Sequence, residues 1–265
     1  MRGMILPIMA RSSDPQIHLA AWMTSTAGGL LLALLPVGAS AAPAAGVIEL
    51  FTSQGCNDCP PADVLLGQLA SSPGVIALSY HVTYWDALGW HDRFGLAEFD
   101  ARQQYYVTQL RLPSAFTPQA VIDGRVSAIG SDQMSIEAAL SKAPPSLPIQ
   151  LRVDQGQVRI ALPAVPTRLA TPLQVIFIGY EPRALTEVGA GENAGRKLQE
   201  YDVVRTYRRV GLWQGGAAQF SVPLSLLPPE ATGIVVLLQE PQGSIAGAAT
   251  FAADAQASGA SLQKH

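Results

Sequence analysis

The sequence predicts an α/β domain followed by an all-β, antiparallel, sandwich-like domain, and three observations lead to this prediction. Before residue 143, apolar runs with strand character alternate with runs at helical spacing. Residues 143–148 contain two adjacent prolines, which end a helix and mark a linker. After the linker, apolar residues recur with a period of two, the pattern of half-buried strands. With 265 residues, 48% of them hydrophobic, the chain is long enough to build two such cores.

The first domain, residues 46–142, is predicted to have the element order β-α-β-α-β-β-α. Its elements are a buried strand over 47–53, an amphipathic helix over 62–69, a buried strand over 75–83, a longer helix over 96–110, a hairpin over 119–129 and a last helix over 131–141. Asp123 and Gly124 predict the hairpin turn, and Ser131 is the expected cap of the last helix. Because a helix joins the first two strands, these should be parallel. This order is that of the thioredoxin fold, so the domain is predicted to be thioredoxin-like.

The second domain, residues 149–252, is predicted to contain about seven strands and no helix. The strand-like runs cover 149–153, 158–162, 173–180, 201–213, 220–224, 234–239 and 245–251. Short strands separated by turn residues favour an antiparallel sandwich. Residues 253–265 are predicted to form a disordered tail.

The chain begins with a segment typical of an export signal. Residues 27–42 form an uncharged apolar run that ends in small residues and follows two arginines. Residues 39–41 (Ala-Ser-Ala) fit a cleavage site, so residues 1–41 are predicted to be a signal peptide. The alternative is a membrane anchor, but a run of about 16 residues is short for a spanning helix. The protein is therefore expected to be secreted or periplasmic, in an oxidising compartment.

Composition excludes several kinds of partner. The net charge is −3 and only 14% of residues are charged, so we expect neither a nucleic-acid nor an anionic-membrane partner. No second apolar run could span a bilayer, so no membrane contact is expected after signal removal. Residues 189–197 are glycine-rich but lack the Gly-Lys-Ser/Thr ending of a phosphate-binding loop, and no cofactor is expected.

The only two cysteines, Cys56 and Cys59, lie between a predicted strand and a predicted helix. A helix N-terminus offers unpaired N–H groups and a partial positive charge, and both favour a thiolate. Pro60 and Pro61 fit the first helical turn, where their missing N–H groups cost nothing. We expect Cys56 to be the exposed attacking sulfur and Cys59 the resolving one. This arrangement predicts thiol–disulfide exchange with a protein or a small-thiol partner.

The same cysteines fit other roles. A zinc site needs four ligands, and the chain has neither a second cysteine pair nor a His-x₃₋₅-His pattern. A copper-binding or copper-delivery site formed by Cys56, Cys59 and His81 stays open, because thiolates and imidazole suit this metal. The alternative for His81 is a hydrogen-bonded core histidine. A structural disulfide in a non-catalytic envelope binding module also stays open, although so short a loop adds little stability.

The segment after the second strand should lie beside the sulfurs, because sites in open α/β sheets form beyond the carboxyl ends of parallel strands. Trp85 and Asp86 are the candidates for the neighbouring wall, with Tyr84 and Trp90 behind them. The alternative interpretation is that these aromatic side chains only cover an edge of the core.

Three further groups are candidates for supporting the cysteines. Thr117 and Pro118 directly precede a strand, where proline is allowed, and should close the site. Glu49, in an apolar strand, would either take a proton from the resolving thiol if buried beneath it, or face solvent at a sheet edge. Asn193 and Arg196 belong to the glycine-rich stretch, and the hypothesis is that they fold back over the cysteines and restrict access.

Five spaced motifs cover most of the chain: VIELFTSQGCNDCPPAD, HVTYWDALGWHDRF, ARQQYY, TPQAVIDG and GENAGRKLQEYDVVR. Together, from about residue 47 to residue 251, they resemble the secreted bacterial proteins grouped as domain of unknown function 1223. The resemblance implies a thioredoxin-like fold, with Cys56 and Cys59 as the redox pair and Pro118 as a cis-proline. It implies no established substrate.

The chain departs from this family's pattern at two places. Asn57 and Asp58 stand between the cysteines, where two serines are expected, and Thr83 stands where an aspartate is expected. An acid at Asp58 disfavours a thiolate on Cys56, which argues against a very strong oxidant. Thr83 removes a proton-relay role at its position.

Overall fold

The computed structural model describes residues 46–144, 146–166 and 168–252. These residues contain eleven strands and three α-helices. The predicted signal peptide and the predicted C-terminal tail lie outside these described residues. Within the described ranges, no helix combines the length and the apolar character needed to cross a membrane.

The first half of the chain has the predicted element order. Its elements are β1 (Gly46–Thr52), α1 (Pro60–Ala70), β2 (Val75–His81), α2 (Ala97–Gln109), β3 (Gln119–Ile122), β4 (Val126–Ile129) and α3 (Gln133–Leu140). The hairpin turn is confirmed, since Asp123 and Gly124 both have positive φ (50° and 62°), as a tight hairpin turn requires. The predicted cap of α3 is wrong by one residue: the Asp132 carboxylate, not Ser131, accepts the N–H of Ser135 (3.1 Å).

The second half contains the seven predicted strands. They are β5 (Gln150–Asp154), β6 (Gln157–Leu162), β7 (Leu173–Glu187), β8 (Lys197–Trp213), β9 (Ala218–Pro223), β10 (Gly233–Gln239) and β11 (Ile245–Ala252). Strands β7 and β8 are longer than predicted because they pair along their whole length, from Leu173 opposite Trp213 to Glu187 opposite Lys197. This long hairpin carries the glycine-rich loop at its tip.

The predicted fold class, a thioredoxin-like α/β domain followed by an all-β antiparallel sandwich-like domain, is wrong. Eight strands from both halves form one mixed sheet in the order β11-β10-β7-β8-β2-β1-β3-β4, and the remaining three form a second sheet, β5-β6-β9. The two halves join where β8 lies parallel to β2, with Val203 opposite Ser79. The physical reason is that a period of two identifies a strand and its buried face, but not the edge at which the strand pairs.

Both faces of the eight-stranded sheet are covered. On one face, α2 packs over strands from both halves, and the buried side chains include Phe51, Tyr80, Ile178 and Leu237. On the other face, α1 and α3 cover the N-terminal strands, and the three-stranded sheet covers the C-terminal strands. Strands from the two halves therefore share one apolar core beneath α2.

Successive side chains of strand β1 point to opposite faces of the sheet. Leu50 and its alternate neighbours contact α1, whereas Phe51 and Glu49 point towards α2. Glu49 is fully buried and forms an ion pair with Arg102 of α2 (2.6 Å), and the Tyr106 hydroxyl donates to its carboxylate. Both predictions for Glu49 are therefore wrong: it lies on the face opposite the cysteine helix, and β1 is an interior strand rather than an edge.

Candidate functional site

The two cysteines form a disulfide at the start of α1, with their Cα atoms 5.4 Å apart. Cys59 is the N-cap residue, and Pro60 and Pro61 occupy the first helical positions, where a missing N–H is tolerated. The prediction that Cys56 is exposed is wrong, since Cys56 is 1% exposed and Cys59 is 0% exposed. The helix start is therefore where the sequence places it, but both cysteines are buried.

The loop between β7 and β8, residues 188–196 and hereafter the capping loop, lies over the cysteine motif. Asn193 is fully buried and donates its side-chain amide to the carbonyl oxygens of Gln54 (2.9 Å) and Cys56 (2.8 Å). Arg196 donates to the Asn193 side-chain oxygen (2.6 Å), which orients that amide. Of the two residues hypothesised to restrict access, Asn193 thus contacts the motif directly and Arg196 contacts it through Asn193.

The conformation of the capping loop depends on glycine. Gly191 and Gly195, on either side of Asn193, have φ of +73° and +79°, values that favour glycine. A Cβ on Gly191 would also lie 3.2 Å from the Cβ of Trp90, so the loop packs closely on this side chain. Trp90 in turn donates its indole N–H to Gln54 Oε1 (2.9 Å). Trp90 therefore fills the space between the loop and the segment that precedes the disulfide.

Trp85, Thr117 and Pro118 lie at the same end of the sheet as the cysteine motif, and Trp85 also packs against the core on the α2 face. Trp85 donates its indole N–H to the Thr117 hydroxyl (2.7 Å), and a Cβ on Gly55 would lie 3.0 Å from the Cβ of Trp85. The Thr117–Pro118 peptide bond is cis. A Cβ on Gly130 would lie 2.9 Å from Pro118 and 3.1 Å from Ala62 of α1, so Pro118 lies beside the first turn of this helix.

Several other candidates point elsewhere. Asp86 does not face the disulfide, because its carboxylate binds the ring of His91 (2.7 Å) and the N–H of Asp92 (3.1 Å). Tyr84 is 44% exposed and donates to Gln103 on α2 (3.2 Å). Asp58 is exposed to solvent. The hydrogen bonds of Asp86 and Tyr84 are therefore made to residues other than the cysteines.

A cluster of buried titratable side chains lies beside the motif, on the α1 face of the sheet. His81 Nδ1 is 2.7 Å from the Asp92 carboxylate, and Asp92 also accepts the backbone N–H of Gln54 (2.8 Å). Gln54 donates its side-chain amide to Glu200 of β8 (2.7 Å). Asp63, one turn after Cys59 in α1, accepts the Thr52 hydroxyl (2.8 Å). His81 Nε2 is buried without a hydrogen-bond partner among the described residues.

Burial and mutual charge shift the pKa values of this cluster. Burial raises the pKa of Asp63 to about 7, against the opposing effects of charged His81 and the Thr52 hydrogen bond. For His81, burial by itself lowers the pKa, but the Asp92 carboxylate and its hydrogen bond raise it to about 9. Burial also raises the pKa of Glu200. Near neutral pH the cluster therefore holds an imidazolium beside an ionised Asp92, and Asp63 can bind or release a proton.

Sequence reasoning missed the carboxylates of this cluster. Asp63 was recognisable, because a residue four positions after Cys59 lies on the same face of the helix. Glu200 had no comparable pattern, since it reaches the motif only when β8 lies next to β2. His81 is buried as one prediction had it, but one of its ring nitrogens has no hydrogen-bond partner in the described part of the chain.

The alternative copper site is not preformed. In the described part of the chain, no three His, Cys, Asp or Glu side chains are grouped so that they could hold a metal ion. The two sulfurs are bonded to each other, and His81 Nδ1 faces Asp92. Copper binding by Cys56, Cys59 and His81 stays a prediction that requires the reduced cysteines.

Comparisons with known proteins identify one family and two similar solved structures. The model of the family described as "Protein of unknown function (DUF1223)" matches residues 47–239. A crystal structure of a protein from Agrobacterium tumefaciens is 30% identical, covers 80% of this chain and 95% of its own length, and has a TM-score of 0.69. HBP35 of Porphyromonas gingivalis is 12% identical over 81% of this chain and 77% of its own, with a TM-score of 0.55, and so is similar in fold alone. No curated protein matches the chain.

Proposed function

This chain belongs to the DUF1223 family of proteins of unknown function, and on that premise we propose that it is an exported thiol–disulfide oxidoreductase whose disulfide reacts when the capping loop lifts. The observation that carries the proposal is the cover of the disulfide: a glycine-containing loop attached to the motif through one buried side chain, Asn193. A loop held by a few hydrogen bonds opens at a much lower free energy than a packed core does.

Stability alone is a weak reason for this arrangement. On the chain-entropy account, a disulfide with a sequence separation of 3 stabilises the fold by about 2 kcal/mol. A buried Asp63 with its pKa raised from 3.8 to about 7 destabilises the fold by roughly 4 kcal/mol at pH 8. A short disulfide of small stabilising effect beside a buried carboxyl with a raised pKa is an arrangement typical of reactive sites, and it favours a chemical role.

The reaction with a dithiol partner proceeds in two exchanges. With the loop lifted, a partner thiolate attacks Cys56 Sγ, the Cys56–Cys59 bond breaks, and Cys59 leaves as a thiolate that takes a proton. The second thiolate of the partner then attacks the partner's own sulfur in the mixed disulfide and releases Cys56, which also takes a proton. The partner is oxidised to a disulfide, and two electrons and two protons pass to the cysteine pair.

A redox titration with thiol trapping tests the proposal. We expect a reversible two-electron couple between about −120 and −270 mV, the range of known oxidoreductases. The variant Cys59→Ser should retain a mixed disulfide on Cys56, because the resolving sulfur is missing. A potential below about −300 mV, together with no mixed disulfide in this variant, would contradict the proposal.

The near-complete burial of both sulfurs favours a second candidate, a non-catalytic binding module whose disulfide is structural. This candidate predicts the low potential just described. It also predicts that the native disulfide does not exchange with a dithiol at neutral pH, and that protein reduced after unfolding and then refolded has a free energy of unfolding lower by about 2 kcal/mol. The titration therefore separates the two candidates.

A further inference from the structure

A surface groove of about 490 Å³ runs beside the first turns of α1. Its lining includes Pro60, Pro61, Val64, Gln68, Gln133 and Arg196, and this is hereafter the α1 groove. Its volume is in the range of small-molecule sites. Prolines and a valine supply an apolar side, and two glutamines supply hydrogen-bonding groups.

The α1 groove lies next to the disulfide. Pro60 directly follows Cys59, and Ser131, which also lines the groove, directly follows Gly130. Gly130 donates its N–H to the carbonyl oxygen of Pro118 (2.9 Å). A molecule in the groove is therefore adjacent to both the cysteine motif and the segment that ends at Pro118.

Arg196 is the one charged residue that lines the groove. The guanidinium is exposed, and it donates to the side-chain oxygen of Asn193 (2.6 Å). A guanidinium binds carboxylates in a fork, and a carboxylate that drew the Arg196 side chain into the groove would pull it away from the Asn193 oxygen. The same contact therefore links the groove to the residue that holds the capping loop over Cys56.

We propose that the α1 groove binds a small thiol bearing a carboxylate, that Arg196 pairs with this carboxylate, and that the ion pair releases Asn193 from the cysteine motif. The inference rests on the proposed function and names the class of its partner. Because the ligand binds better when Arg196 is free of Asn193, it shifts the population towards the lifted loop. Binding of the thiol and access to Cys56 are in this way coupled through the Arg196 side chain.

Three thiols that differ mainly in charge test the inference: 3-mercaptopropionate (anionic), 2-mercaptoethanol (neutral) and 2-mercaptoethylamine (cationic). Two molecules of each reduce one disulfide and leave as their own disulfide. At equal thiolate concentration and low salt, each rate is divided by the rate of the same thiol with a small uncharged disulfide, because the reactivity of a thiolate also depends on the pKa of its thiol. On this normalised scale, we expect the anionic thiol to react about fivefold faster than the cationic one, the size of an exposed ion pair. The net charge of −3 on the chain would by itself favour the opposite order, so this result is diagnostic.

Three variants locate the effect. Arg196→Gln should lower the ratio of the anionic to the cationic reduction rate to below about twofold. Arg196→Lys should keep most of this ratio because the charge remains. Arg152→Gln removes the same charge from the distant three-stranded sheet and should leave the ratio unchanged. An equal ratio in the wild type and in Arg196→Gln, or a faster reaction with the cationic thiol, overturns the inference.

Succinate separates a failure of this inference from a failure of the proposed function, because it has carboxylates and no thiol. Titrated into the oxidised protein, it should shift the side-chain amide NMR signal of Asn193 saturably, and not in Arg196→Gln. A saturable shift without reduction by any thiol supports the groove and contradicts the proposed function. If the thiols reduce the protein but the Asn193 signal does not shift and no charge preference is found, the proposed function stays in place and the inference about the α1 groove is overturned.

Discussion

Replacing Asn193 with alanine should loosen the capping loop and expose the disulfide. The side chain is fully buried and donates to two backbone carbonyls, of Gln54 at 2.9 Å and of Cys56 at 2.8 Å. A hydrogen bond of this kind contributes about 1 kcal/mol net, so the docked loop loses about 2 kcal/mol in Asn193→Ala. This corresponds to an increase of about 30-fold in the population of the open loop.

The rate of disulfide reduction reports this population when reclosing is faster than attack. We expect dithiothreitol at fixed concentration to reduce Asn193→Ala about 30-fold faster than the wild type, with the reaction quenched by alkylation and followed by mass. Glu192→Gln is the control in the same loop: Glu192 accepts one longer, exposed bond from Asn57 (3.3 Å). We expect the disulfide of Glu192→Gln to be reduced at less than about five times the wild-type rate.

A second control excludes global unfolding as the route of attack. Val222 belongs to β9 of the three-stranded sheet and is buried in the core between this sheet and the C-terminal strands, and Val222→Ala should lower the free energy of unfolding by roughly 2 kcal/mol. It should not change the reduction rate if only the loop opens. The reasoning is refuted if Asn193→Ala is reduced within about twofold of the wild-type rate, or if Val222→Ala accelerates reduction equally.

Three further predictions concern the buried charges and the hairpin turn. Burial raises the pKa of Asp63 from 3.8 to about 7, so the folded chain retains a proton that the unfolded chain loses and stability falls as the pH rises through this window. In urea unfolding, the free energy of unfolding of Asp63→Asn should therefore rise relative to that of the wild type by about 3 kcal/mol between pH 5 and pH 8. If the two free energies change in parallel with pH, the raised pKa of Asp63 is contradicted. Arg102→Met leaves buried Glu49 without its ion pair and should lower the free energy of unfolding by about 3–5 kcal/mol, most of which the double variant with Glu49→Leu should restore. Gly124→Ala places a Cβ 1.9 Å from a carbonyl oxygen of the β10–β11 turn, whereas Gly156→Ala has a similar positive φ and no atom within 4 Å. Thermal unfolding should show a loss of about 1–2 kcal/mol for Gly156→Ala and a clearly larger loss for Gly124→Ala, and equal losses would exclude the steric contact.

The local geometry of the site was predictable because it depends on neighbours along the chain. Cys56 and Cys59 at a strand-to-helix junction, with two prolines in the first turn, specify where α1 begins. The face of the sheet on which Glu49 lies was also predictable, because its neighbour Leu50 faces α1 and successive side chains of a strand point to opposite faces. The wrong prediction for Glu49 came from its distance along the chain to the cysteines, without regard to this alternation.

The burial of Cys56 was not predictable in the same way. The hydrogen bond that holds the capping loop on its backbone carbonyl comes from Asn193, 137 residues later in the chain. A single hydrogen bond across that separation leaves no periodicity and no composition bias. The glycines around Asn193 indicated a loop with unusual backbone angles, but not the surface on which the loop would lie.

The amino-acid sequence specifies the type and order of the elements in this protein, because helix and strand periods, turn residues and helix starts are local properties of side chains. The sheet to which each strand belongs depends on the folded arrangement. Every strand edge offers the same backbone N–H and C=O groups, so pairing β8 with β2 is selected by how whole faces pack and not by any pattern within either strand. The same pairing brings Glu200 and the capping loop to the cysteines, and so turns a local motif into a covered site.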